Sequence, residues 1–164
     1  MTKLSSMPEY LRTIPACLAV GYFAAQPYTG FTLLFVLLFL AVFFICGSFR
    51  AWKHPEERKA FFPKAVIWAL WLILASSLHL YYFESTRSAG NQAVQALVSF
   101  NAKNGHFPAK LSEADNEVAA QAKTWRVGYL NEDGKPKLIY PDTFMIFCAY
   151  MYDFEAGKWV YIPG

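Results

Sequence analysis

The chain has 164 residues, of which 55% are hydrophobic, 18% aromatic and only 16% charged, with a formal net charge of +3. That is too apolar for an ordinary soluble domain of this length and points to a membrane class. No stretch interleaves Lys/Arg clusters with aromatics in the manner of a nucleic-acid groove, so the positive balance reads as a topological signal and no nucleic acid is expected as a partner.

Residues 14–49 form one apolar tract, interrupted at Gln26, Pro27, Tyr28, Thr29 and Gly30. A membrane span needs about 20 residues, so the tract is too long for one helix and long enough for two short ones. Pro27 and Gly30 predict a tight hairpin joining helices near residues 11–26 and 31–50. A single long kinked helix is the alternative, because Pro also kinks membrane helices without ending them. A polar, basic stretch follows over residues 50–59, then a third apolar run from 65 to 83, with Trp68 and Trp71 near one end and Tyr81 and Tyr82 at the other. Aromatic belts of this kind mark a spanning helix, placed at about 64–83.

Lys3 and Arg12 precede the first apolar run, and Arg50, Lys53, Arg58, Lys59 and Lys64 lie between the second and third. By the positive-inside rule both segments are cytoplasmic, which puts a membrane domain at 1–83 and an extracytoplasmic domain at 84–164. In a bacterium this is a multi-pass inner-membrane protein with a periplasmic C-terminal domain.

The third helix is expected to run on beyond the membrane as a rod of about 40 residues and about 60 Å. Between residues 84 and 103 only Gly90 is a breaker, and Ala89, Ala93, Ala96, Leu97 and Phe100 recur at helical spacing as one apolar stripe. The stop falls at Asn104 and Gly105, which tolerate the left-handed conformation of a helix C-terminus. A short polar helix over 112–123, started by Ser112 and Asp115, precedes four strands at 125–130, 135–140, 143–152 and 158–162. Asp133-Gly134 is a hairpin signal. The fold class is therefore α+β, a long helix packed on a small four-stranded antiparallel sheet.

Strand alternation would send Phe144, Ile146, Cys148 and Tyr150 to one face and Met145, Phe147, Ala149 and Met151 to the other. Both faces are then apolar, more than one short helix could cover. Two readings follow, a core that also packs against the membrane surface and a protein-binding face. The candidate partner-binding residues are Tyr150, Met151, Tyr152, Trp159 and Tyr161, types that recur as interface anchors.

Catalytic machinery is not visible. Cys17, Cys46 and Cys148 make no close pair, and His54, His79 and His106 are far apart along the chain, so no metal site is expected. Residues 131–134 lack the alternating oxygen ligands of a calcium loop. No nucleophile elbow, zinc-protease or phosphate-loop motif occurs. The expectation is a non-enzymatic protein without cofactor or small-molecule substrate, whose partners are protein and membrane lipid. His79 reads as an interfacial amphipathic side chain, and residues 54–59 as a solvated loop.

The stretch from Ala96 to Leu111, ALVSFNAKNGHFPAKL, resembles the helix exit of the globular part of type IV pilins and type II secretion pseudopilins. Asn104, Gly105, Phe107, Pro108 and Leu111 carry the likeness, with Phe100 at the family's aromatic position. The resemblance implies that Gly ends the long helix, that the aromatic tucks under the sheet and that Pro stiffens the exit. The string GFTLLFV at 30–36 also resembles a prepilin processing site, but the Glu required at the fifth mature position is Phe35 here, and the apolar run 14–26 stands where a short basic leader belongs. It reads as the first turn of the second helix, and the chain is expected to stay uncleaved. The implied role is an inner-membrane accessory protein that binds a pilin or pseudopilin partner and assists its stability or assembly. The alternative is a small polytopic immunity protein that neutralises a membrane-active or periplasmic toxin.

Overall fold

The computed structural model describes residues 13–145 and 147–164. Lys3, Arg12, Ile146 and the start of the first expected helix lie outside the described residues. In chain order the elements are α1 (Thr13–Ala24), α2 (Thr32–Lys53), a 3-10 turn (Pro55–Glu57), α3 (Arg58–Asn104), α4 (Leu111–Ala114), α5 (Asn116–Thr124), β1 (Gly128–Glu132), β2 (Lys135–Pro141), β3 (Ala149–Asp153) and β4 (Lys158–Ile162). The chain divides into two compact units, Met1–His79 and Leu80–Gly164.

In the first unit the apolar tract is a hairpin and not one kinked helix. α1 ends at Ala24, and α2 restarts at Thr32. Between them Tyr28 turns to φ 71°, while the Thr29 hydroxyl donates to the Gln26 carbonyl at 2.8 Å and the Thr32 hydroxyl to the Thr29 carbonyl at 2.7 Å. The string GFTLLFV thus supplies the start of α2. Side chains from all three helices meet in layers, Cys17 with Leu40 and Trp68, then Ala24 with Leu33 and Ala75. Residue numbers rise in α1 and α3 while they fall in α2, so neighbouring helices alternate in direction.

Two glycines set how closely these helices approach. A Cβ on Gly21 would run into the Trp71 indole, and one on Gly47 into the Phe61 ring. Small residues at such crossings are how apolar helices gain contact where no water drives them together. His79, read in the sequence as an interfacial amphipathic side chain, is buried within the protein, and its Nε2 donates to the Ala24 carbonyl at 2.6 Å. That bond satisfies one of the carbonyls left open at the end of α1.

α2 and α3 are long and apolar enough to cross a membrane, whereas α1 is a shorter apolar helix. The 12 residues of α1 span about 18 Å, against about 30 Å of hydrocarbon. Away from these shared layers large apolar side chains stay exposed, Leu18 at 68%, Phe35 at 67% and Ile45 at 69% among them. A helix apolar on every side suits a lipid surrounding.

The basic stretch expected as a loop is mostly helical. α2 continues to Lys53, only His54 and the 3-10 turn follow, and α3 starts at Arg58 with Pro63 inside it. The corner is held by polar groups that a hydropathy reading cannot weigh. Arg58 Nε donates to the Ala51 carbonyl at 2.8 Å, and Arg50 pairs with Glu57 at 3.5 Å.

In the second unit, the part of α3 from Leu80 onward packs on an antiparallel sheet of order β1-β2-β3-β4. Ala89, Ala93 and Leu97 of the expected stripe are buried together with Leu111, Val127, Leu138 and Tyr140. Thr86 belongs to the same stripe at 1% exposure, and its hydroxyl finds no partner among the described residues. Leaving a buried hydroxyl unpaired costs about 1–3 kcal/mol, so Thr86→Val should raise the unfolding midpoint of this unit in thermal denaturation. A lower midpoint would mean that the hydroxyl has a role in the core.

Three boundaries differ from the sequence reading. The polar helix is split because Asp115 adopts an extended conformation and caps α5, accepting from the Glu117 and Val118 amides at 2.9 and 3.0 Å. β1 begins at Gly128 rather than 125, since Trp125 closes α5 and Arg126 takes φ 55°. β3 begins at Ala149 rather than 143. Asp142 Oδ1 accepts from the Phe144 amide at 2.7 Å and the Met145 amide at 3.3 Å, which bends the chain out of the sheet. Strand alternation therefore does not extend over Phe144, Met145 and Phe147.

Candidate functional site

The helix exit singled out in the sequence is a built structure. Gly105 takes φ 74°, and its amide closes on the Asn101 carbonyl at 2.8 Å, as expected where a residue without Cβ ends a helix. Asn104 Nδ2 donates to the Phe100 carbonyl at 2.9 Å. Phe107 packs edge-on to Phe154 with ring centres 5.1 Å apart. Pro108 is fully buried, and its carbonyl accepts from the Tyr129 hydroxyl at 2.8 Å and from Asn131 Nδ2 at 3.1 Å. Leu111 enters the core at 7% exposure. These residues fasten the end of α3 to β1.

The strand register divides the candidate partner-binding residues between two faces. Tyr140 faces Tyr150 across β2 and β3, Tyr150 faces Tyr161 across β3 and β4, and Tyr152 faces Trp159. Tyr150, Tyr152, Trp159 and Tyr161 thus share the side of Leu138 and Tyr140, which is turned to α3. Tyr150, Tyr152 and Trp159 pack against the core, and Tyr161 keeps 45% exposure at its edge. Met151 stands on the opposite side in a row with Ile139 and Val160. That outer face is open and apolar, with Leu130 at 51%, Ile139 at 41% and Val160 at 37% exposure.

On the inner face the rings form a continuous ladder, Tyr140–Tyr150 at 5.2 Å, Tyr150–Tyr161 at 5.2 Å and Tyr152–Trp159 at 5.1 Å. Trp159 Nε1 donates to Asn91 Oδ1 at 2.9 Å, tying β4 to α3. Burial, with Tyr150 close by, pushes the Tyr140 hydroxyl up to about 12, against the opposing pull of Arg87. The Tyr150 hydroxyl is raised too, mainly by burial and then by Asp142. A hydrogen bond with Cys148 comes first in pushing Tyr161 up to about 12. At neutral pH these hydroxyls are therefore protonated donors, not nucleophiles or general bases.

The shift at Tyr140 has a consequence for stability. In the unfolded chain this tyrosine ionises near pH 10, about two units below its folded value, so the native state holds the proton longer. Its contribution is complete below about pH 10 and is lost as pH rises toward about 12. Far-UV circular dichroism of the wild type should fall in that window, while Tyr140→Phe should lose less stability across it. Identical alkaline profiles would show that Tyr140 does not drive the transition.

Among the described residues, no group of three or more His, Cys, Asp and Glu side chains could hold a metal ion. A shallow groove beside α4 and α5 is lined by Gln92, Gln95, Ser99, Lys103 and Asp115, with Asp115 already engaged as a helix cap. Sequence reasoning missed two features of this unit. Gly90 reads in the sequence only as a breaker, yet its Cα faces the rings of Trp159 and Tyr140. Asp142, whose turn ends β2, carries the usual signal of an Asp after a strand, hidden in the sequence by the aromatic run that follows it. Compared with protein-family models, curated proteins and solved structures, the chain matches none.

Proposed function

We propose that the chain is a non-enzymatic inner-membrane accessory protein that binds a pilin or pseudopilin-type subunit and assists its stability or assembly. The observation that carries this reading is the long helix, ended by Gly105 and pinned through Pro108, packed on a four-stranded antiparallel sheet. That arrangement is compatible with a pilin-like shape. Two surfaces are suited to a partner of the same kind, the apolar flanks of α2 and α3 for a helix in lipid and the open outer face of the sheet. The test is deletion of the gene in its native host, with cellular pilin and surface pili quantified. Loss of pilin or pili is expected, restored by the wild-type chain. Unchanged pilin together with new sensitivity to a toxin encoded nearby would replace this reading with that of an immunity protein.

The proposed topology embeds three helices in the membrane, the short α1 beside the two full spans α2 and the first part of α3, with the α2–α3 corner cytoplasmic and the Leu80–Gly164 unit periplasmic. It rests on Arg50, Lys53, Arg58 and Lys59 crowding that corner. Reporter fusions after Lys59 and after Gly164 should report opposite sides of the membrane. Both on one side would overturn it.

A further inference from the structure

The Leu80–Gly164 unit has two distinct ends. At one end the exit of α3 meets both hairpin turns, since Phe107 lies against Phe154 and Asn131 Nδ2 reaches the Phe107 carbonyl at 3.2 Å. At the other end α3 enters the unit. There Tyr81 and Tyr82 pack on Trp125 with ring centres 5.8 and 6.5 Å apart. Gly90 faces Tyr140, so β2 runs from the exit end toward the entry end and finishes there at Pro141. The loop from Asp142 to Cys148 therefore belongs to the entry end, closed by the Asp142 amide donating to the Cys148 carbonyl at 2.9 Å.

This loop is unlike the other turns of the unit. The turns at 132–135 and 153–158 are charged, whereas the sequence carries no charged residue between Asp142 and Asp153. Phe147 is 81% exposed, more than any other large apolar side chain among the described residues, with Met145 at 42% and Phe144 at 37%. The Asp142 carboxylate holds the loop amides inward, which leaves these apolar side chains to project. Exposed apolar groups in water are unfavourable by about 25 cal/mol per Å², so a tight turn of this composition calls for an apolar cover. At the same end of the unit the apolar run of α3 finishes, at Leu80, Tyr81, Tyr82 and Phe83. Tyrosines and tryptophans at such a level mark the edge of a bilayer.

We infer that the loop bearing Phe144, Met145 and Phe147 inserts into the phospholipid surface beside α3 and docks the sheet on the membrane. The occupant of this patch is lipid, neither a second copy of the chain nor a partner protein. The insertion fixes how the sheet stands over the bilayer and leaves the outer face around Met151 open. It rests on the reading that α3 crosses the membrane.

The test uses the full chain in phosphatidylethanolamine/phosphatidylglycerol proteoliposomes. Cys46, the exposed native thiol, is replaced by Ala, while Cys17 and Cys148 are buried and left in place. Spin labels are attached in turn through Phe147→Cys, Met145→Cys, Ala156→Cys and Leu74→Cys, and collisions with oxygen and with a water-soluble nickel chelate are measured. Labels at 147 and 145 should favour oxygen several-fold over the label at 156, which sits in the opposite turn. The label at 74, in the apolar run of α3, should favour oxygen as well. Nickel access at 145 and 147 equal to that at 156 overturns the insertion while leaving the spanning helix intact. Low access to both reagents means that protein covers the loop, which also overturns it. Nickel access at 74 would overturn the span and the insertion together. The label at 145 decides the case should the change at 147 disturb folding.

Discussion

Replacing Leu97 with Asp is expected to unfold the Leu80–Gly164 unit while, on the proposed topology, α2 and the first part of α3 stay inserted. Leu97 is 0% exposed, at the centre of the cluster formed with Ala93, Leu111, Val127 and Leu138. The substitution removes a full leucine from that core and puts an unpaired carboxylate in its place. A polar group buried without a partner costs several kcal/mol, and a unit this small holds only about 3–5 kcal/mol in reserve. Gln95→Asp is the control, since Gln95 is exposed on the same helix two residues away. Limited proteolysis of membrane vesicles should digest the unit in Leu97→Asp and spare it in Gln95→Asp. Equal resistance in both would mean that α3 does not pack on the sheet, and the pilin-like reading would go with it.

The parts of this fold legible in the sequence are those where one physical signal dominates. Hydrophobic periodicity placed Ala89, Ala93 and Leu97 on the buried side of α3, and Asn104-Gly105 marked its end because few residues accept φ near 74°. Asp133 and Gly134, at φ 52° and 79°, gave the first hairpin for the same reason. The misses fall where a polar side chain competes with a continuous pattern. Asp115 splits a helix that its neighbours would continue, and Asp142 ends a sheet run that the following aromatics would continue. At the corner between α2 and α3, charge suggested loop, while the hydrogen bond from Arg58 and the Arg50–Glu57 pair make it helical.

The candidate surface was harder to read because aromatic composition does not state which face a strand buries. Tyr150, Tyr152, Trp159 and Tyr161 looked like interface anchors, yet the register sets all of them on the side of Leu138 and Tyr140. A one-residue shift in the start of β3 would have reversed that assignment. The start depends on the Asp142 turn, so a single overlooked cap decided which aromatics are core and which are open. Of the chosen residues, Met151 is the one left on the outer face, among neighbours the sequence did not single out.

Gly90→Val is expected to cost the same unit about 1–3 kcal/mol, although valine is the better helix former. A Cβ at Gly90 would stand 3.0 Å from Trp159 Cζ2 and 3.2 Å from Tyr140 Cδ1, already tighter than ordinary van der Waals contact. The methyls of valine have no space between these rings, and α3 and the sheet must separate. Separation also strains the bond from Trp159 Nε1 to Asn91. Thermal unfolding of the full chain in proteoliposomes, followed by near-UV circular dichroism, should show a lower midpoint for Gly90→Val. Trimming the opposing ring should restore part of it, so Gly90→Val with Trp159→Leu should lose less than the two single changes added together. Additive losses would mean that residue 90 and Trp159 do not share a contact. An unchanged or higher midpoint for Gly90→Val alone would show that the helix and sheet have room to spare. The sheet would then be held on α3 by the core around Leu97, the Trp159–Asn91 bond and the helix exit at Pro108, not by close contact at this glycine.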